Sequence, residues 1–168
     1  YIFDRAVSYR DVITDSAAPG NSVIKDVSGI SYDSTGLMTR SHQREQDVNG
    51  IITETDLWNM SYDGRKRLVG FSQTEFTDGK DEYGNPLQAR TGTVRKSAWY
   101  NAFGQLASYE DLITASDTDI TKKIKFNNIT YDKSGLIYGY VKWTRSYGAN
   151  EEGWFDVTVT DKRLATAY

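Results

Sequence analysis

The chain has no cysteine, a single histidine and only two prolines in 168 residues. Without thiols there is no disulfide staple, no thiolate metal site and no Cys–His pair, and one imidazole cannot make a two-histidine site. No apolar run approaches the roughly 18 residues of a membrane-spanning helix, so membrane insertion is not expected. Blocks of like charge are absent too. Twenty basic residues against 23 acidic leave a formal net charge of −3, and without a basic face nucleic acid is not an expected partner. There is also no Gly-x-Gly-x-x-Gly or Walker pattern to cradle a phosphate. No cofactor is expected.

What is abundant is Tyr, twelve of them, with four Trp among many Ser and Thr. That composition suits an extracellular or cell-surface β-protein. One short phrase recurs four times: Tyr32-Asp33-Ser34-Thr35-Gly36, Tyr62-Asp63-Gly64-Arg65-Lys66, Tyr100-Asn101-Ala102-Phe103-Gly104 and Tyr131-Asp132-Lys133-Ser134-Gly135. An apolar residue stands two before each Tyr (Ile30, Met60, Ala98, Ile129) and another six after it (Met38, Leu68, Leu106, Ile137). The phrase therefore reads as a tight turn between two half-buried strands. Asp or Asn bonds its own backbone just ahead, and Gly supplies a left-handed φ without a Cβ clash. Lys66 stands where the others have Gly, which predicts a second turn built differently or one that uses Gly64.

The four Tyr lie 30, 38 and 31 residues apart, a period that fits two strands and two connections. Phe3 to Tyr9 aligns with Phe103 to Tyr109, placing a first turn at or just before Tyr1. The chain thus begins inside a repeat, which predicts a piece of a longer polypeptide. Asp161-Lys162-Arg163-Leu164 resembles the exit of the Tyr62 turn and predicts a degenerate last turn. Between the Tyr turns lie variable loops rich in Gly, Asn, Asp and Pro: Ser16–Asn21, Asp47–Gly50, Asp78–Pro86, Asp117–Asp119 and Gly148–Gly153. The longest explains the enlarged step. Gln105–Ile113 has helical spacing at Leu106, Tyr109, Leu112 and Ile113, but its repeat partners are rich in aromatic and β-branched residues, so it too is expected as strand. The expected fold is all-β, an antiparallel meander of long hairpins forming a repetitive wall- or solenoid-like sheet. Residues 1–168 read as a single continuous array of about five hairpins.

The phrases Tyr131-Asp132-Lys133-Ser134-Gly135-Leu136 and Tyr100-Asn101-Ala102-Phe103-Gly104-Gln105-Leu106 resemble the YD repeat of the RHS and teneurin family, with a longer repeat here. The resemblance implies a large secreted or surface protein whose hairpins build a shell or stalk, for encapsulation or adhesion.

Candidate chemistry is sparse. His42, between Arg40 and Arg44, has no partner set for a triad and is expected as a solvated strand residue. The pairs Glu110 with Asp111 and Glu151 with Glu152 are strand neighbours that point to opposite faces, so they cannot serve one substrate atom. Asp78 to Glu82 and Asp117 to Asp119 are oxygen-rich but lack the calcium-loop spacing, so solvated loops are expected, with calcium binding the alternative. No metal site is expected, and no catalytic residue, so the chain is not expected to be an enzyme. Trp58, Trp99, Trp143 and Trp154 are candidates for stacking on sugar rings, although Trp58 and Trp99 alternate to opposite faces and packing within the sheet or against a neighbouring layer is the expected use. The expected function is a structural extracellular segment of a wall, stalk or fibre. Its partner is itself, either further repeats of the same polypeptide or identical copies, through open edges at Tyr1–Thr14 and Trp154–Tyr168. The alternative is a carbohydrate-binding or adhesin module.

Overall fold

The computed structural model describes residues 5–14, 22–80, 83–115, 120–150 and 152–163. It contains ten strands: β1 Tyr9–Thr14, β2 Ser22–Tyr32, β3 Met38–Gln46, β4 Ile52–Tyr62, β5 Leu68–Lys80, β6 Pro86–Tyr100, β7 Leu106–Ala115, β8 Thr121–Tyr131, β9 Ile137–Asn150 and β10 Gly153–Arg163. They form one sheet in sequence order, an antiparallel meander, with no helix among the described residues. Gln105–Ile113 lies in extended structure, as its repeat partners require. The chain groups into two compact units, Tyr1–Met60 with Ser72–Gly92 and Ser61–Phe71 with Thr93–Tyr168.

All four Tyr phrases close alternate connections of the meander with one turn. In the first, Asp33 N–H bonds the Leu37 carbonyl and Gly36 N–H bonds the Asp33 carbonyl. Asp33 Oδ1 then accepts from the backbone N–H groups of Thr35 at 2.8 Å and Leu37 at 2.9 Å. Asp63, Asn101 and Asp132 repeat this scheme on Arg65 and Arg67, Phe103 and Gln105, and Ser134 and Leu136. The Asp or Asn side-chain oxygen organises five residues locally, which is why the turn is written in the sequence. Two expectations are corrected here. Lys66 itself takes the left-handed position at φ 63°, beside 84° for Gly36 and Gly104 and 82° for Gly135, so the second turn is built like the others and Gly64 is not used. Asp47–Gly50, grouped above with the variable loops, is a fifth copy, with Gly50 at φ 81° and Asp47 Oδ1 accepting from Asn49 and Ile51.

A Cβ in the left-handed region costs about 1 kcal/mol, partly offset because Gly makes the unfolded chain more flexible. Lys66→Gly is therefore expected to stabilise the protein by about 0.5 kcal/mol in urea unfolding. Gly36→Ala is expected to destabilise it by about 1 kcal/mol, because Gly36 holds φ 84°, where a Cβ is strained.

The turns are stacked through their tyrosines. Tyr32 Oη donates to the Ala6 carbonyl at 2.9 Å, Tyr100 Oη to Leu68 at 2.7 Å and Tyr131 Oη to Leu106 at 2.8 Å. Leu68 and Leu106 are each six residues after the preceding Tyr, so these two acceptors are turn exits one hairpin earlier. Arg5 and Arg67, the residues just before two of these acceptors, lie 5.1 and 4.5 Å from the centroids of Tyr32 and Tyr100. The predicted first turn at Tyr1 lies outside the described residues.

Three residues before the Tyr, the ladder carries a second repeated device. Gly29, Asn59 and Asn128 have φ of 60°, 53° and 54°. Gly29 and Ile30 together face Ser41 alone, and Asn128 and Ile129 together face Tyr140 alone, before the register is restored by an extra residue on the partner strand. These β-bulges kink the strand next to the apolar position. Ile30 and Ile129 are buried there, with Ala98 at the same position and Val27, and these four are the buried hydrophobic side chains among the described residues.

Three further expectations change. The enlarged step is not a loop effect: β5 and β6 are long strands of 13 and 15 residues, and Asp78 to Lys80 belong to β5. Gly148–Asn150 belong to β9, and Asp161–Arg163 continue β10, where Arg163 pairs with Tyr140, instead of forming a last turn. Ser16–Asn21, Asp117–Asp119, Asp81, Glu82, Glu151 and Leu164 lie outside the described residues.

Candidate functional site

In the first unit, alternation places Arg40, His42 and Arg44 on one face of β3. Their register to β4 sets His42 opposite Asp56 and Arg44 opposite Glu54. The Arg44 row continues across Asp26 to Arg10, making four strands of alternating charge with ion pairs at Arg10–Asp26 and Arg44–Glu54. Opposite charges facing across strands stabilise a sheet and like charges destabilise it. His42 Nδ1 lies 3.2 Å from Asp56 Oδ1, so His42 is a half-buried, partnered residue and not the solvated one expected.

Beside this pair, Arg40, Asp56, Trp58, Thr74 and Arg90 line a cleft of about 460 Å³. Arg90 is held over the Phe76 ring, 5.8 Å from its centroid. One aromatic wall with a hydroxyl, a carboxylate and two guanidinium groups makes a polar binding cleft, in the volume range of small-molecule sites.

The four Trp separate. Trp58 lines the cleft and is half-buried. Trp143 is half-buried opposite Lys125 and Thr160. Trp99 and Trp154 are 57 % and 74 % exposed. Trp143 and Trp154 share one face by the unbroken register of β9 and β10, about six residues or roughly 20 Å apart along the strands.

In the second unit one face carries an aromatic and cationic row. Tyr109 stacks on Phe126 at 4.9 Å, and Phe126 meets Tyr140 at 5.4 Å. Arg95 lies 5.1 Å from the Phe71 ring and 4.4 Å from Tyr109 while donating two 2.8 Å hydrogen bonds to Asp111. The Asp111 carboxylate raises Arg95 above the ordinary guanidinium value. Glu110 turns the other way to Lys123 and Lys125 at 3.0 and 2.9 Å. Glu110 and Asp111 thus point to opposite faces, as strand neighbours should, and do not form an acid–base pair. Among the described residues no group of three metal-ligating side chains occurs, and Asp78 accepts a hydrogen bond from Gln88.

Several carboxyls are held below their usual range: Asp26 by Arg10, Asp33 by the Leu37 N–H, Asp63 by Arg67, Glu110 by Lys125 and Lys123, Asp156 by Arg145. A carboxyl depressed by folding contributes stability above its unfolded value, near 4, and loses it as pH falls through the folded value. Thermal melts are therefore expected to be level from neutral pH to about 5 and to drop steeply below about 4. A fall already complete above about pH 5.5 would contradict this assignment.

The chain matches no known protein-family model, no curated protein and no solved structure. Its function rests on its own residues. Of these, Arg90 and Thr74 were not singled out in the sequence, because nothing local joins them to Arg40 or Trp58. The one available signal was the Arg40-x-His42-x-Arg44 alternation, which sets three cationic or titratable side chains on one strand face.

Proposed function

We propose that the chain is a structural segment of an extracellular or cell-surface YD-repeat protein of RHS and teneurin type, part of a wall, stalk or fibre that associates with itself along its sheet edges. It is read as a non-enzyme. The observation that carries this reading is the repeated tyrosine contact, from Tyr100 and Tyr131 to the exit of the turn before and from Tyr32 to Ala6. A hairpin added to such an array meets the same acceptor its predecessor met, so the local scheme has no built-in end. The sheet order also leaves β1 and β10 as terminal strands. Every residue of β1 is exposed, and β10 exposes all but Phe155. An edge strand with unpaired N–H and C=O groups is a template for another strand, and like copies joined edge to edge propagate.

Sedimentation velocity over a rising concentration series tests the reading. Species growing in steps with concentration are expected. A monomer at every concentration would overturn self-association.

A further inference from the structure

We propose that the cleft of the first unit binds an acidic sugar, a pyranose ring bearing a carboxylate or sulfate, with Trp58 under the ring and Arg40 and Arg90 on the anion. The starting point is an imbalance in how arginines are used. Short of the C-terminal edge strand, the strand arginines Arg10, Arg44, Arg95 and Arg145 each pair with a carboxylate, Asp26, Glu54, Asp111 and Asp156. Arg40 and Arg90 are the two strand arginines there with no carboxylate partner among the described residues, and both line the same cleft. They come from β3 and β6, so no local sequence feature accounts for their meeting. Two guanidiniums beside a single carboxylate leave the cleft net cationic in a chain of net charge −3.

The remaining lining decides the class of anion. An apolar acid would find only Trp58 to cover it. A hydroxyl-rich ligand finds a donor and acceptor in the Thr74 hydroxyl and an acceptor in Asp56, whose carboxylate is steadied by His42. The Trp58 ring offers an apolar wall to the C–H face of a pyranose, and guanidinium forks match carboxylate or sulfate oxygens in geometry as well as charge. A neutral sugar would satisfy Asp56 and Thr74 but leave both guanidiniums without a counter-charge. An acidic peptide would satisfy the arginines but offer few hydroxyls to Asp56. Arg90 is steadied by its place over Phe76, which reduces the ordering cost of binding.

The test is titration calorimetry, with Trp fluorescence, on the whole chain against four probes. These are an oligogalacturonide, a heparin-derived oligosaccharide, a neutral maltooligosaccharide of equal length and a Glu-rich peptide. Binding of at least one acidic sugar is expected, at least about tenfold tighter than the neutral sugar and the peptide. Whichever of the two binds tighter distinguishes a carboxylate ligand from a sulfated one. The double variant R40Q/R90Q is expected to lose about tenfold or more with an unchanged far-ultraviolet spectrum, since both side chains are exposed. Trp143→Ala is expected to bind as the native chain does. The proposal is overturned if no acidic sugar binds, if the neutral sugar or peptide binds equally well, or if the folded double variant retains full affinity. None of the cleft residues lies in β1 or β10, so that failure would leave edge association standing.

Discussion

Asp111→Ala is expected to lower the unfolding free energy by about 3 kcal/mol, the largest loss from any single polar side chain here. Asp111 is the buried charged residue among the described residues, at 8 % exposure, and its carboxylate takes both forks of Arg95. Removing it strands a guanidinium between two aromatic rings, where water reaches it poorly. The loss measures the orphaned charge more than the worth of the pair. A second variant separates these. R95M/D111L removes both charges and is expected to lie within about 1 kcal/mol of the native protein, because the surrounding Phe71 and Tyr109 accept an apolar side chain. Glu110→Ala, which releases two lysines into solvent, is expected to cost under about 1 kcal/mol. If urea unfolding placed Asp111→Ala and Glu110→Ala together, the burial of the Arg95 pair would be energetically unimportant.

The second large effect is on assembly. Val157 and Val159 lie on one face of β10, 51 % and 58 % exposed, in the strand the proposal assigns to edge pairing. The double substitution V157K/V159K is expected to abolish concentration-dependent growth while changing monomer stability by no more than about 0.5 kcal/mol. Lysines on an edge repel a second copy carrying the same pair. Sedimentation and urea unfolding of the same sample read the two quantities separately. Polymer formed by the double variant as readily as by the native chain would move the contact away from β10.

What could be read in advance followed the range of the interactions. The Tyr turns were legible because Asp33, Asn101 and Asp132 act within five residues, and β7 was legible because its repeat partners outweighed an ambiguous period. Lys66 misled because the absence of Gly was weighted above the turn's five-residue bonding, which outlasts a left-handed Cβ. Asp47-Val48-Asn49-Gly50 has the same Asp and Gly spacing, but no Tyr precedes it, so a reading keyed on Tyr passed over it. The bulges at Gly29, Asn59 and Asn128 left a faint trace, since Gly and Asn are also ordinary turn residues and Ser97 occupies the same place in the third repeat. Loop lengths were overestimated where Gly79 and Gly148 sit within strands. The cleft was not legible. Arg40 and Arg90 are joined by strand register, a non-local property that no window of sequence contains, and the solvated His42 expected from its neighbours became a partner of Asp56 for the same reason.

Hydrogen–deuterium exchange of the β10 amides at low and high protein concentration tests edge association most directly. One side of β10 is bonded to β9 along its whole length, so alternate amides of Trp154–Arg163 face outward and are expected to exchange quickly in dilute protein. At high concentration those same amides are predicted to slow together with the amides facing out from β1, while the interior strands stay unchanged. Outward amides of β10 that exchange equally fast at both concentrations would contradict the account.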